Sequence, residues 1–120
     1  PTDWIADSGT SSHICNSKDL FVDFTPLTNH IITGLGEHKV QAIGKGTVKL
    51  DFKVDGNYVT NTLKDVLYTP EAANSLLSIS KLDDAGGEAI FRRGWCTLVG
   101  PKGNKLATAK KIGKLYLLDV

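Results

Sequence analysis

The sequence predicts a mostly β fold with one short helix, arranged as a small closed or nearly closed barrel. Residues 48–55 alternate between apolar and charged side chains, which is the period of a half-buried strand. Other short apolar runs lie between turn residues, and one segment, 75–87, has helical spacing. With 120 residues, 41% hydrophobic and 22% charged, the chain has the composition of one globular domain.

The first predicted strand covers residues 4–7 and ends at an aspartate. In the strand 48–55, the tripeptide Asp-Gly-Asn that begins at its last residue supplies a tight turn. Residues 58–68 then return as a second strand that ends before a proline, so the two strands predict a β-hairpin. The side chains expected on its buried face are Val48, Leu50, Phe52 and Val54.

Residues 75–87 predict the helix. Ser78 is a candidate N-cap, and Gly86 stands where a glycine commonly follows a helix. Four short strands follow, with the sequences EAIFRR, WCTLVG, NKLATA and KLYLLDV, and GPKGN forms a turn between two of them. The apolar side chains with helical spacing are Leu76, Leu77, Ile79 and Leu82.

Composition and motif spacing exclude several functional classes. The two cysteines, Cys15 and Cys96, are too few for a disulfide framework, and no zinc spacing is present. The sequence has no glycine-rich phosphate motif and no apolar stretch long enough for a membrane. We therefore expect no metal, no cofactor, no membrane partner and a reducing compartment. The absence of methionine suggests a piece excised from a longer protein.

Positive charge is concentrated near the end of the chain, although the net charge is only +1. Between Gly100 and Lys114 there are five lysines and no acid, and Arg92 and Arg93 lie just before this segment. A solvated surface is the plainer interpretation. Contact with nucleic acid is the alternative, which is disfavoured because no aromatic residue alternates with these lysines.

The stretch WIADSGTSSHI, residues 4–14, places Asp7 directly after an apolar strand. One interpretation is an Asx-type turn in which the carboxylate accepts local backbone N–H bonds. The other is a catalytic carboxylate, with Gly9 allowing close backbone approach and Ser8 bracing the site. Serine-protease chemistry is excluded, because Ser12 and His13 are adjacent and would point to opposite faces of a strand.

Three segments in order, DSGTSSHI, IITGLGEHKVQAIGKGTVKL and LKDVLYTPEAANSLLSISKLDDAG, resemble the aspartic protease of copia-type LTR-retrotransposon polyproteins. These enzymes are relatives of retroviral retropepsins, and the resemblance covers about residues 4–99. It implies an all-β, closed, retropepsin-type barrel with one short helix, as one protomer of a C2 homodimer. The protease domain would be residues 1–99, and residues 100–120 would be a lysine-rich extension toward the pre-integrase segment.

The resemblance also implies roles for individual residues. Asp7 would be the catalytic carboxylate, and Ser8, Gly9 and Thr10 would complete the active-site loop. Ser78 stands where retropepsins have glycine, and no arginine follows it. The residues matched to the flap are Gly34, Leu35, Gly36 and Glu37. The residues expected to form the substrate pocket are Ile32, Leu76 and Leu77, the last two being equally plausible as core.

The function that the resemblance implies is peptide-bond hydrolysis by two carboxylates that share a proton. This chain has one Asp-Ser-Gly triplet, so the second carboxylate would come from a second copy. The expected substrates are segments of its own Gag-Pol polyprotein, and the expected location is cytoplasmic, within virus-like particles. The alternatives are a catalytically silent dimerisation or peptide-binding module, and a β-domain that contacts RNA through its lysine-rich tail.

Overall fold

The fold is described from a computed structural model, which covers residues 3–35 and 38–120. Within them the prediction of a mostly β domain with one short α-helix is confirmed. The elements are, in order, β1 (Trp4–Asp7), β2 (Ile14–Cys15), a 3₁₀ helix (Lys18–Leu20), β3 (Thr25–Leu35), β4 (His38–Val54), β5 (Asn57–Tyr68), β6 (Ser75–Ser78), α1 (Ile79–Asp84), β7 (Glu88–Arg92), β8 (Trp95–Val99), β9 (Lys105–Ile112) and β10 (Leu115–Leu118).

The described strands form one sheet in the order β3-β4-β5-β2-β6-β1-β10-β9-β8-β7. The prediction of a closed barrel is wrong for this part of the chain, because no pairing joins the edge strands β3 and β7. The sheet is nevertheless strongly curved. Phe91 on β7 meets Tyr116 on β10 edge to face, with ring centroids 4.9 Å apart. The N–H of Lys53 on β4 donates to the carbonyl oxygen of Asp119 at 2.9 Å, so the β4–β5 hairpin lies against the end of β10.

The β4–β5 hairpin has the predicted form. Asp55 and Gly56 have φ values of 50° and 84°, as a two-residue turn with positive φ at both positions requires. The four side chains expected on its buried face, Val48, Leu50, Phe52 and Val54, are buried, and Phe52 is fully so. The buried members of the main core are Trp4, Ala6, Cys15, Val48, Leu50, Phe52, Val66, Leu77, Cys96, Leu98, Ala107, Ala109 and Leu118.

The helix is shorter than its apolar spacing predicts. Leu76 and Leu77 belong to β6, because they pair in parallel register with Ile5 and Ala6 of β1. Helix α1 begins after its N-cap Ser78, as predicted, and Gly86 follows it with a φ of 90°. None of the helices within residues 3–35 and 38–120 is long and apolar enough to cross a membrane.

The last two strands lie inside the sheet. β10 pairs antiparallel with β1, where Leu117 faces Ile5, and β9 joins β10 to β8. The side chains of Ala107, Ala109 and Leu118 are buried in the main core. Strands β9 and β10 therefore belong to the same sheet as the strands that precede residue 99.

Candidate active site

Asp7 is the last residue of β1, and its carboxylate is held by the turn that follows. The N–H of Gly9 donates to Asp7 Oδ1 at 2.7 Å. Ser8 and Gly9 are exposed, whereas Asp7 is half-buried. A Cβ atom at position 9 would lie 3.2 Å from Asp7 Oδ1, closer than most such contacts. The glycine thus permits the close approach of backbone and carboxylate.

The strand that carries Asp7 is fixed by β6. The two strands run parallel, with Asp7 in register with Ser78. The hydroxyl of Ser78 donates to the carbonyl oxygen of Thr10 at 2.7 Å and accepts the N–H of Lys81 at 3.2 Å. One serine therefore caps helix α1 and anchors the loop after Asp7. Strand β6, residues 75–78, thus packs beside the strand and loop that carry Asp7.

A buried histidine completes this network. His13 Nδ1 accepts the backbone N–H of Ser78 at 2.9 Å. Burial, with a smaller contribution from the charge of Lys81, lowers the pKa of His13 to about 4. The imidazole is therefore neutral near pH 7, as an acceptor at Nδ1 must be. Thr10 Oγ1 also donates to the carbonyl oxygen of Ser12 at 3.0 Å, which tightens the same loop.

No local sequence signal identifies His13 as part of this network. Its partner Ser78 lies 65 residues away along the chain, and only the fold brings them together. Thr10, predicted as a loop residue, is 9% exposed and contributes both its hydroxyl and its carbonyl oxygen. The polar contacts of the loop are therefore internal, and only its tip faces solvent.

A surface cavity of about 160 Å³ lies beside Asp7. Asp7 is the one acidic residue in its lining, within the described part of the chain. Phe91 lies on β7, Lys114 lies between β9 and β10, and Tyr116 lies on β10. None of the three is among the site residues that the sequence predicts. The lining residues are Ile5, Ala6, Asp7, Ser8, Ile79, Phe91, Lys114, Leu115 and Tyr116.

The predicted pocket residues separate onto two faces of the sheet. Leu76 packs with Ile5 and Ile14 in a small apolar cluster, and half-buried Ile32 packs against it. Leu77 points to the opposite face, is 4% exposed and belongs to the main core. Leu77 therefore lies on the core side of the sheet, which is the alternative left open for it above, because neighbouring residues on a strand alternate between faces. The cluster of Ile5 and Leu76 lies on the Asp7 face of β1.

Leu77 also lines a larger cavity of about 370 Å³, together with His13 and Leu82. This cavity lies between β5, α1 and the β8–β9 hairpin, and its lining does not include Asp7. It is therefore separate from the cavity beside the active-site loop.

The predicted flap is described in part. Gly34 and Leu35 are the last residues of β3, and Leu35 pairs with His38 at the start of β4. Gly36 and Glu37 lie outside the described residues.

Metal ligation has no support in the described ranges 3–35 and 38–120, where no three His, Cys, Asp or Glu side chains converge. Burial raises the pKa of Cys96 to about 11 and also raises that of Cys15. Both cysteines are thus buried, protonated thiols near pH 7.

Comparison with known proteins assigns the family. Residues 4–87, more than half of the chain, match the family described as the Pol polyprotein, beta-barrel domain. The chain belongs to this family. The match covers β1 through α1 and ends before β7, so the basic C-terminal strands lie outside it.

A curated relative agrees with this assignment. This chain is 32% identical over 79 residues to a putative transposon Ty5-1 protein of Saccharomyces cerevisiae. The aligned region is 65% of this chain and 48% of that protein, so the chain spans about half the length of its relative. No solved structure matches the chain. The predicted resemblance to a retrotransposon polyprotein is therefore confirmed at the level of the Pol polyprotein.

Proposed function

We propose that this Pol polyprotein domain is a copia-type aspartic endopeptidase that processes its own Gag-Pol polyprotein as a C2 homodimer. The observation that supports it best is the setting of Asp7. Its carboxylate stands at the end of a buried strand, beside a surface cavity, with Oδ1 held by the N–H of Gly9 at 2.7 Å. Oδ2 accepts no hydrogen bond from the described residues. One carboxylate oxygen is thus fixed and the other is available for chemistry.

A second carboxylate must come from a second copy of the chain. Asp7 is the single acid that lines its cavity within the described residues, and aspartic protease chemistry needs two. The exposed tip of the loop, Ser8 and Gly9, allows a symmetry-related loop to approach. In this arrangement Ser8 braces one loop against the other. The hydrogen bond between Ser78 and Thr10 fixes each loop. No arginine follows Ser78 that could brace the loop instead.

The reaction follows from the shared proton of the pair. Two carboxyl groups about 3 Å apart cannot both ionise, so one is protonated while the other is charged. The charged group takes a proton from water as the water oxygen bonds to the scissile carbonyl carbon. The protonated group gives its proton to the carbonyl oxygen. The tetrahedral adduct then collapses, the C–N bond breaks, and the leaving nitrogen receives a proton.

The substrate is an extended peptide of the polyprotein. The segment matched to the flap, Gly34, Leu35, Gly36 and Glu37, would pair with the peptide backbone. Leu76 and Ile32 supply apolar subsites on the Asp7 face, and Leu115 forms a wall of the cavity. We place the enzyme in the cytoplasm, within virus-like particles, where the polyprotein is concentrated.

The direct test is cleavage of a peptide from the polyprotein by wild-type protein and by Asp7→Asn at acidic pH. The expected result is loss of cleavage in Asp7→Asn and retention in Asp84→Asn, which removes an exposed carboxylate from α1.

Mixing wild type with an equal amount of Asp7→Asn tests the dimer. If both carboxylates are needed and subunits exchange, activity per chain falls to about a quarter, against about a half for independent protomers.

Three outcomes contradict the proposal. Cleavage by purified Asp7→Asn would remove Asp7 from the mechanism. Half the activity in a mixed sample whose subunits have been shown to exchange would contradict a site shared between two chains. A stable wild-type dimer that binds the peptide without cutting it would identify the catalytically silent module instead.

A further inference from the structure

We propose that one end of the sheet, formed by the β7–β8 and β9–β10 turns, binds single-stranded nucleic acid. This surface, here named the basic edge, consists of Arg92, Arg93, Trp95, Lys110, Lys111 and Lys114. It lies in the part of the chain that the family match does not cover. The proposal is independent of peptide cleavage by Asp7.

The fold brings two separate turns together at the basic edge. The N–H of Lys111 donates to the carbonyl oxygen of Gly94 at 2.8 Å, which joins the β7–β8 turn to β9. Arg92 pairs with Trp95, and Trp95 pairs with Lys110, in three neighbouring strands. Because paired residues point to the same face of a sheet, these three side chains form one row.

The basic edge has one acidic neighbour in the described residues, because Lys114 lines the same cavity as Asp7. Its two arginines and three lysines are all exposed, and residues 89–118 contain no Asp or Glu. The ion pairs found within the described residues are Lys45–Asp65 and Lys105–Asp55, neither of which involves the basic edge. A chain of net charge +1 thus concentrates five cations at one end, which is suited to a phosphodiester backbone.

Trp95 distinguishes nucleic acid from an acidic polypeptide as the partner. Its side chain is 48% exposed, whereas the other tryptophan, Trp4, is 1% exposed. It lies between Arg92 and Lys110, so an unpaired base can stack on the indole while neighbouring phosphates meet the cations. No aromatic residue lies among the lysines of residues 102–114 in the sequence, but the fold brings Trp95 of β8 next to Lys110. An acidic polypeptide would use the cations but not the indole plane.

The first experiment is a titration with a single-stranded oligouridine of about twelve nucleotides, a length within the range that such surfaces cover. We expect the tryptophan fluorescence to be quenched, and since Trp4 is buried the change reports Trp95. With three to five phosphates contacted, log K should fall against log[salt] with a slope of about −2 to −3.5. Absence of binding at low salt would overturn the proposal.

Matched variants separate a site from general charge. Lys110→Gln with Lys111→Gln should weaken binding to a labelled oligonucleotide and reduce the salt slope by about 1.4. Lys49→Gln with Lys53→Gln removes the same charge from exposed positions of β4 and should leave binding nearly unchanged. If both double variants weakened binding equally, binding would depend only on net charge, and the proposal of a specific site would be wrong.

The indole is tested separately by anisotropy. Trp95→Leu should weaken oligonucleotide binding by about tenfold, and Trp95→Phe should retain most of it because the aromatic plane remains. Asp7→Asn should not weaken oligonucleotide binding, although it should abolish peptide cleavage, which separates this surface from the proposed protease activity. If polyglutamate competed as well as oligouridine and Trp95→Leu had no effect, the partner would be an acidic polypeptide and the proposal would be wrong.

Discussion

The imidazole of His13 and the backbone amide of Ser78 meet at 2.9 Å, although 65 residues separate them along the chain. This bond connects the segment that follows the Asp7 loop to the end of β6. It requires a neutral imidazole, because a protonated ring has no acceptor nitrogen. The position of the candidate catalytic loop is thus linked to the protonation state of a residue outside it.

We predict that, as the pH is lowered, the free energy of unfolding begins to decrease at a higher pH than protonation of the carboxylates alone would cause. The pKa of His13 is about 4 in the fold and about 6.5 in the unfolded chain, so the unfolded state binds the proton first. Its contribution is complete above pH 6.5 and is lost as the pH falls toward 4. Between pH 7.5 and pH 5 the loss should be about 2 kcal/mol, measured by urea unfolding.

Two histidine variants check this assignment. His13→Gln keeps an acceptor without a titrating ring and should flatten the stability profile between pH 7.5 and pH 5. His30→Gln changes an exposed histidine and should leave the profile as in wild type. A wild-type profile that is flat over this range would contradict the role of His13.

We predict that Ser78→Ala destabilises the domain by about 1–3 kcal/mol. It removes the N-cap of α1 and leaves the buried carbonyl oxygen of Thr10 without its donor. Ser80→Ala, at an exposed position of the same helix, should change the free energy of unfolding by no more than about 0.5 kcal/mol. Similar effects of the two alanines in chemical denaturation would show that the Ser78 contacts contribute little.

We predict that Gly9→Ala separates activity from folding. The new Cβ would press on Asp7 Oδ1 at 3.2 Å and shift the carboxylate, while the exposed loop tip can adjust at little cost. Peptide cleavage should fall, by up to about a hundredfold, since a misplacement of about 1 Å in a catalytic group can cost that much. The unfolding midpoint should change little.

Gly46→Ala should behave in the opposite way, because its Cβ would overlap the carbonyl oxygen of Asp23 in the folded backbone. We expect a large loss of stability from it, measured by thermal unfolding. A Gly9→Ala protein with full activity would show that the close contact with Asp7 has no catalytic importance.

We predict that β10 contributes to stability through Leu118 and not through Leu115. Leu118 is 5% exposed and belongs to the main core, whereas Leu115 is 52% exposed on the same strand. Leu118→Ala should cost about 2–5 kcal/mol, and Leu115→Ala less than about 1 kcal/mol. If removal of residues 115–120 left a folded protein, β10 would be dispensable and the prediction would fail.

Local patterns explain why part of the fold is predictable. The alternation of Val48 to Val54 defines a buried face, and Asp55-Gly56 satisfies a turn that needs positive φ. Helix α1 begins after its N-cap Ser78 and stops before Gly86 for equally local reasons. Such features depend on neighbours within a few residues, so the sequence is sufficient to identify them.

Contacts between distant segments explain what could not be predicted. The inward face of β9 is made of Ala107 and Ala109, which give a weak hydrophobic signal beside several lysines. The pairing of β1 with β10 joins Ile5 to Leu117, and no local pattern specifies it. The same limitation hides the roles of His13 and Trp95 until their partners are known.

Strand β1, which ends at Asp7, has β6 on one side and β10 on the other. Both neighbours are synthesised later, and β10 is the last strand of this chain to leave the ribosome. Asp7 is therefore made early but gains its full support only when residues 115–118 have been translated. The order of synthesis therefore delays support of the candidate site until residues 115–118 have been made.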